Sequence, residues 1–272
     1  MKRYVFMLSD GTGITAETLG NSLITQFENI PFERLTIPYI DSMTKAEDVV
    51  LQINKAFIES GVKPLVFMTL INKEIRSLFF KEANACVYDL FNTFIGPMEQ
   101  ELNEKSSYTV GRTHGVINNK LYLHRLEAID FALLHDDGVK PRGYDKADII
   151  LIGVSRCGKT PCCLYMALQY GILAANYPFT EEEIVGFKLP DVLKPYKNKL
   201  FGLTIDVQRL HQIRTERRPH SKYASVEQCR LEVKEVEAMY QKEKIPYINS
   251  TKYSIEEIST KILASSGLQR KI

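Results

Sequence analysis

The fold is decided by the stretch Ala147-Asp148-Ile149-Ile150-Leu151-Ile152-Gly153-Val154-Ser155-Arg156-Cys157-Gly158-Lys159-Thr160. Its first part is a continuous apolar run up to Ile152, which is typical of a strand buried on both faces of a parallel sheet. Its second part, from Gly153 to Thr160, matches G-x-x-x-x-G-K-[ST], the loop that joins such a strand to a helix and holds phosphate. The stretch therefore predicts an α/β domain with a largely parallel sheet and a nucleotide site.

The residue types in this loop suit phosphate chemistry. Gly153 and Gly158 let the backbone curl so that successive N–H groups face an anion, and the following helix adds the positive end of its dipole. Lys159 would bring a positive charge to the terminal phosphates, and the Thr160 hydroxyl would ligate Mg²⁺. The alternative is a glycine-rich turn with an incidental lysine. We expect the nucleotide to contact the whole loop: Gly153, Val154, Ser155, Arg156, Cys157, Gly158, Lys159 and Thr160.

A second acid is expected at the end of another buried strand, where it would hold the metal or relay a proton. Asp206 follows the apolar run from Leu200 to Ile205 and is predicted to be a metal ligand or an acid/base. The alternative is an N-cap for a helix that begins at Val207, and the two roles are compatible.

Several cations follow Asp206. Arg214, Arg217 and Arg218 are predicted to clamp phosphate, because arginine forks neutralise the charge that develops on a transferred phosphoryl group. The alternative is a solvated basic surface that Glu216 partly balances.

Charge is unevenly distributed along the 272 residues. The net charge is +2, but residues 1–143 hold 15 Lys and Arg against 18 Asp and Glu, and residues 144–272 hold 20 against 15. The second half therefore suits anionic ligands, whereas the whole chain lacks the strongly basic, aromatic surface of a nucleic-acid binder. No apolar run approaches the length of a membrane span. Five cysteines without metal spacing suggest reduced thiols and a cytoplasmic protein.

The first half alternates β-rich runs with helical patterns, which indicates a second α/β region. Residues 84–120 are irregular, and the helix from Leu121 to His135 is followed by a polar, glycine- and proline-containing turn ending at Gly143. We therefore predict two domains, an N-terminal α/β domain of residues 1–143 and a C-terminal phosphate-loop domain of residues 144–272. No internal sequence repeat is visible.

Two further segments carry weaker signals. Ser9-Asp10-Gly11-Thr12-Gly13 follows the first strand but lacks the full dinucleotide pattern. It indicates either a functional role, such as a second phosphate site or a catalytic acid at Asp10, or a plain tight turn. Asp136 and Asp137 lie at the C-terminal end of a helix, where the helix dipole disfavours negative charge. They indicate either a functional element or a solvated helix end.

These segments together resemble the bacterial family of phosphoenolpyruvate synthase regulatory proteins, whose sister group regulates pyruvate, phosphate dikinase. The resemblance covers essentially the whole chain, and the loop tail is more similar to the synthase branch. It is carried by residues 9–17, 135–138, 155–161, 174–179, 200–206 and 213–218.

The resemblance implies a bifunctional, ADP-dependent regulator. Such a protein phosphorylates a threonine of phosphoenolpyruvate synthase with ADP and removes that group with inorganic phosphate, releasing pyrophosphate. Lys159 and Thr160 match the family's nucleotide loop, whereas the proton-relaying acid is left open between Asp206 and Asp10. The N-terminal domain either docks the partner enzyme or completes the site across a homodimer. Pyruvate, phosphate dikinase as target, an ATP-dependent small-molecule kinase and a nucleotide-sensing switch without transfer remain the alternatives.

Overall fold

The computed structural model describes residues 2–108, 119–136, 142–179, 183 and 188–272. The chain divides into two compact units, Met1–Gly115 and Val116–Ile272. This division falls earlier than the boundary predicted at Gly143. The reason is the helix Asn119–Leu134, which packs against elements of the second unit.

In its described residues, 2–108, the first unit has four parallel strands and four helices. The strand order in its sheet is β2-β1-β3-β4. In chain order the elements are β1 (Arg3–Leu8), α1 (Ile14–Ile24), β2 (Phe32–Ile37), α2 (Met43–Ser60), β3 (Leu65–Met68), α3 (Lys73–Glu82), β4 (Cys86–Asp89) and α4 (Leu90–Leu102).

Helices cover both faces of this sheet. Because side chains alternate along a strand, each strand packs against helices on both sides. Phe6 and Leu8 of β1 pack on the α2 and α3 side, whereas Val5 and Met7 pack on the side of α1. The alternating pattern of the first half is thus confirmed as an α/β region with a parallel sheet.

The described part of the second unit also has four parallel strands, in the order β6-β5-β7-β8. Its elements are α5 (Asn119–Leu134), β5 (Ile149–Gly153), α6 (Lys159–Tyr170), β6 (Ala174–Pro178), a 3-10 helix (Asp191–Lys199), β7 (Leu200–Thr204), α7 (Val207–Arg217), a 3-10 turn (Lys222–Ala224), α8 (Val226–Glu243), β8 (Tyr247–Asn249) and α9 (Ile255–Ser266). All five residues of β5 are buried, as its apolar sequence predicts. Both sheets are parallel throughout, so the predicted fold class is confirmed.

The two sheets share one topology. In each, the first strand lies between the second and the third strands of its unit, so the direction of winding reverses beside the first strand. Ligands of open α/β sheets bind at this reversal, outside the carboxyl ends of the strands. The loops after β1 and β5 occupy that position, each in its own unit.

The prediction of an irregular segment over residues 84–120 is wrong for its first part, which forms β4 and α4. Asp89 ends β4 and caps α4, because its carboxylate accepts the Asn92 N–H at 2.9 Å. Pro97 lies inside α4. Within the part of the chain that the structure describes, no helix is long and apolar enough to cross a membrane.

Candidate phosphate-binding site

The loop between β5 and α6 has the backbone conformation of a tight curl. Gly153 has a φ of 155° and Gly158 a φ of 99°, and Arg156 between them also has a positive φ of 77°. A Cβ on Gly153 would lie 2.4 Å from the Leu203 carbonyl oxygen, so β7 leaves no room for a side chain there. Glycine at this position is therefore required by packing as well as by φ.

Side chains from outside the loop hold its backbone. Ser250 Oγ donates to the Cys157 carbonyl oxygen at 2.9 Å, and Arg214 Nη2 donates to the Ser155 carbonyl oxygen at 3.1 Å. The Ser155 hydroxyl lies 2.9 Å from the Tyr223 hydroxyl. Because two of its carbonyls and the Ser155 hydroxyl are held by these side chains, the loop is fixed in shape before any ligand arrives, and such preorganisation lowers the cost of binding.

Lys159 is folded into this curl. Its side chain is only 5% exposed, and Nζ donates to the carbonyl oxygens of Gly153 and Val154, both at 2.9 Å. A buried ammonium needs such partners, because desolvation penalises an unpaired charge. The positive charge therefore lies inside the loop, where a bound phosphate would meet it.

Thr160 contacts Asp136, the helix-end acid for which the sequence indicates either a functional or a solvated role. Its hydroxyl donates to Asp136 Oδ1 at 2.7 Å, and the Asn176 amide donates to the same oxygen. Asp136 is therefore part of the site. The unfavourable placement of an acid at a helix end was the signal for it, whereas its partners could not be identified from local pattern. Asp137 and Gly138 lie outside the described residues.

A cavity of about 260 Å³ opens in front of the loop. Arg217 lines it, as the predicted clamp requires, and Arg156 of the loop does so too. The other lining residues are Ser155, Gly158, Lys159, Thr160, Pro161 and Ile213. The cavity thus combines three cations with a helix N-terminus, which suits a polyanionic ligand.

The structure gives the other two predicted clamp residues different environments. Arg214 is fully buried, and its guanidinium forms a bidentate pair with Glu232, at 3.1 and 2.6 Å. Burial by itself lowers the pKa of Arg214, but the hydrogen bonds and charge of Glu232 raise it above its ordinary value. The guanidinium also donates to the Ser155 and Tyr223 carbonyl oxygens and lies over the Tyr223 ring, 4.1 Å from its centroid, so its role is to support the loop. Arg218 is exposed where α7 ends.

Asp206 lies after β7, as predicted, and caps α7. Its Oδ1 accepts the N–H groups of Gln208 and Arg209 at 2.9 and 3.1 Å, which confirms the helix-cap alternative. Its side chain is exposed. A metal-binding or proton-relay role for Asp206 stays a prediction.

Asp10 belongs to the first unit, whereas the β5–α6 loop belongs to the second. Its Oδ2 accepts the Ile71 N–H at 2.7 Å and so ties the loop after β1 to the segment after β3. This bond gives Asp10 a structural function in the turn, and its catalytic role stays a prediction.

Cys157 is buried within the loop. Burial raises the pKa of its thiol, although Lys159 and nearby backbone N–H groups act in the opposite direction. Desolvation thus outweighs the helix N-terminus at this position. Cys157 contributes backbone to the loop, and its thiol stays protonated near neutral pH.

Thr160 and Asp136 fit the ligand preference of Mg²⁺, which takes oxygen ligands and is held by one or two protein side chains together with phosphates and water. In the ranges that the structure describes, no group of three or more His, Cys, Asp or Glu side chains is placed to hold a metal ion.

Comparison with known proteins shows the family of the chain. The Kinase/pyrophosphorylase family model matches residues 5–263. A protein of Legionella pneumophila strain Lens is 80% identical over the full length of both chains. A protein of Pseudomonas aeruginosa strain LESB58 is 57% identical, with 100% of this chain and 98% of that protein covered. Both bear the name "Putative phosphoenolpyruvate synthase regulatory protein". Because the family match spans nearly the whole chain and the relatives are similar from end to end, the chain belongs to the kinase/pyrophosphorylase family.

Proposed function

We propose that this kinase/pyrophosphorylase is a bifunctional regulator of phosphoenolpyruvate synthase. In one direction it phosphorylates a threonine of the synthase with ADP and inactivates it. In the other it removes that phosphoryl group with inorganic phosphate and restores activity. The regulatory role is supported by the names of the relatives, and the phosphoryl chemistry by the β5–α6 loop with Lys159 at its centre.

The two reactions balance as transfers of one phosphoryl group. In the forward direction the threonine oxygen attacks the β-phosphorus of ADP, the bond to the bridging oxygen breaks, and AMP leaves while the hydroxyl proton passes to a base. In the reverse direction an oxygen of inorganic phosphate attacks the phosphorus of phosphothreonine. The bond to the threonine oxygen breaks, that oxygen takes up a proton, and pyrophosphate leaves.

One site serves both directions in this proposal. The terminal phosphate of ADP and free inorganic phosphate are similar anions, and the cavity offers Lys159, Arg156 and Arg217 to either. The lysine would exchange its bonds with the Gly153 and Val154 carbonyls for bonds with phosphate oxygens. Electrostatic stabilisation by prepositioned cations is the main catalytic device open to such a site.

The test is transfer of labelled phosphate to the synthase. The pure protein is incubated with Mg²⁺, phosphoenolpyruvate synthase and either ADP or ATP labelled in the terminal phosphate, and the synthase is analysed by mass spectrometry. We expect phosphothreonine from ADP, and its loss as pyrophosphate when inorganic phosphate replaces the nucleotide. Efficient transfer from ATP, or transfer only to pyruvate, phosphate dikinase or to a metabolite, would overturn the proposal.

Lys159→Ala provides the residue-level version of this test. We expect both directions to slow by about a hundredfold or more, as when a prepositioned charge is removed from a transition state. Lys234→Ala is the matched control, because Lys234 is exposed on α8. Equal rates in the two variants would remove Lys159 from the catalytic machinery.

A further inference from the structure

Three side chains from separate parts of the chain meet beside the first turn of α6. Asp136 follows α5, Thr160 belongs to α6 and Asn176 belongs to β6. Asp136 Oδ1 accepts the Thr160 hydroxyl at 2.7 Å and the Asn176 amide, and that amide also lies 3.2 Å from Thr160 Oγ1. The three polar groups therefore form one connected cluster.

The backbone around Asp136 is anchored. The buried ring of His135 stacks on Phe131, with 4.1 Å between the ring centroids. Its Nδ1 lies 2.9 Å from the Phe131 carbonyl oxygen, and its Nε2 lies 3.2 Å from the Arg142 carbonyl oxygen. The His135 carbonyl in turn accepts the Asn176 N–H at 3.1 Å. A residue held from both sides in this way keeps the next carboxylate in a fixed position.

A carboxylate at the C-terminal end of a helix is disfavoured by the helix dipole. The cluster offsets that cost through two hydrogen bonds to one oxygen, one of them from Asn176, which is only 1% exposed. An arrangement that breaks a local rule and then compensates for it is typical of functional sites. The position of this carboxylate, on the hydroxyl of the loop threonine, indicates which function.

We propose that Asp136 is the carboxylate of the Mg²⁺–nucleotide site and that Asn176 is its positioning residue. Thr160 and Asp136 supply two oxygen ligands at one point, and Mg²⁺ completes its shell with phosphate oxygens and water. Asp206, whose Oδ1 is committed to two backbone N–H groups of α7, is then a structural residue. The inference rests on the proposed function only in that the loop binds a nucleotide.

The test measures binding, without any acceptor protein. The dissociation constant of ADP is determined by calorimetry with excess Mg²⁺ and again with EDTA, and the ratio of the two constants reports the metal contribution. Asp136→Asn keeps the shape and an acceptor oxygen but removes the charge. We expect it to reduce the ratio by about tenfold or more, with little change in the constant measured in EDTA.

Two further variants separate the roles. Asn176→Ser keeps a small polar residue on β6 but loses the amide, and we expect the ratio to fall by about tenfold, as for other groups that orient metal ligands. Asp206→Asn, which preserves a helix cap, should keep the wild-type ratio. Thermal unfolding of each variant confirms that it is folded, and Mn²⁺ electron paramagnetic resonance with ADP gives a second reading of metal binding.

A wild-type ratio in Asp136→Asn would overturn the proposal. A ratio reduced in Asp206→Asn as strongly as expected for Asp136→Asn would also overturn it. The outcome is independent of the phosphoryl-transfer assay. If ADP binds with the expected metal dependence but no phosphate reaches the synthase, the proposed function is wrong and the metal site remains. If transfer proceeds while Asp136→Asn binds Mg²⁺-ADP normally, the metal assignment is wrong and the function remains.

Discussion

Arg214 is a fully buried cation whose guanidinium is committed to the fold. Replacing it by glutamine would leave Glu232 buried without its partner, and the loss of one member of a buried ion pair costs about 3–5 kcal/mol. We therefore expect Arg214→Gln to reduce the free energy of unfolding by about that amount in urea titrations. The exposed control Arg218→Gln should change it by less than about 0.5 kcal/mol. Wild-type stability together with lost ADP affinity in Arg214→Gln would identify Arg214 as a phosphate ligand instead.

Gly143 leaves room for the ring of His135, the residue that precedes Asp136. Its φ is 112°, and a Cβ there would lie 2.6 Å from His135 Nε2. Gly267 has a φ of 69° and open space around a Cβ, so Gly267→Ala measures backbone strain alone. We expect Gly143→Ala to destabilise the protein by about 1–3 kcal/mol more than Gly267→Ala does, because the His135 ring must also move. We also expect it to weaken the Mg²⁺ dependence of ADP binding. Equal effects of the two variants in thermal unfolding would contradict this.

Buried thiols make stability depend on alkaline pH. Burial raises the pKa of Cys162 to about 12 and raises the pKa of Cys163 well above its ordinary value. In the unfolded chain these thiols ionise near pH 8.5. Because the pKa of each thiol is higher in the folded state, the contribution of these thiols to the free energy of unfolding is complete below about pH 8.5. It is lost as the pH rises toward about 12. Urea unfolding at pH 7, 9 and 10 should show a declining free energy of unfolding, with a shallower decline in Cys162→Ala.

Among the elements, α7 shows how a helix cap can resemble a catalytic acid. Asp206 follows a buried strand of a parallel sheet, which is where metal-binding acids and helix caps both occur. We expect Asp206→Ala to cost about 1 kcal/mol of stability, whereas Asp206→Asn should cost little because asparagine is an equally good cap. Chemical denaturation of the two variants tests the cap. If Asp206 were instead a metal ligand, both variants would lose the Mg²⁺ dependence of ADP binding.

Local patterns predicted those elements whose signals lie within one segment. The strand–loop–helix from β5 to α6 is confirmed. β4 was missed because it has four residues and a glycine-proline pair follows shortly after. The roles of Asp136 and Arg214 depend on partners 24 and 18 residues away on other elements. No local pattern contains such contacts.

At the scale of the whole molecule, the division into two units predicts that a bound nucleotide stabilises the second unit, which contains the β5–α6 loop. A ligand that binds only the folded state, present at a concentration of a hundred times its dissociation constant, adds about 2.7 kcal/mol to the free energy of unfolding. We expect Mg²⁺-ADP to slow hydrogen exchange most in peptides from β5 and α6, and Lys159→Ala to lose this protection. Mass spectrometry that instead located the protection in Arg3–Leu8 and the following turn would place the nucleotide on the first unit and bring Asp10 back as the acid.

The strand order also has a consequence for synthesis on the ribosome. The sheet of the first unit is complete at Asp89, whereas the strands of the second begin at Ile149, so the first can form while the rest of the chain is still being made. The second sheet depends on its last strand, Tyr247–Asn249, which pairs with β7. A nascent chain that stalls before Tyr247 would expose the edge of β7, and an unpaired edge is open to pairing with other chains. Truncation near the C-terminus should therefore cause aggregation at a point where the first unit has already folded.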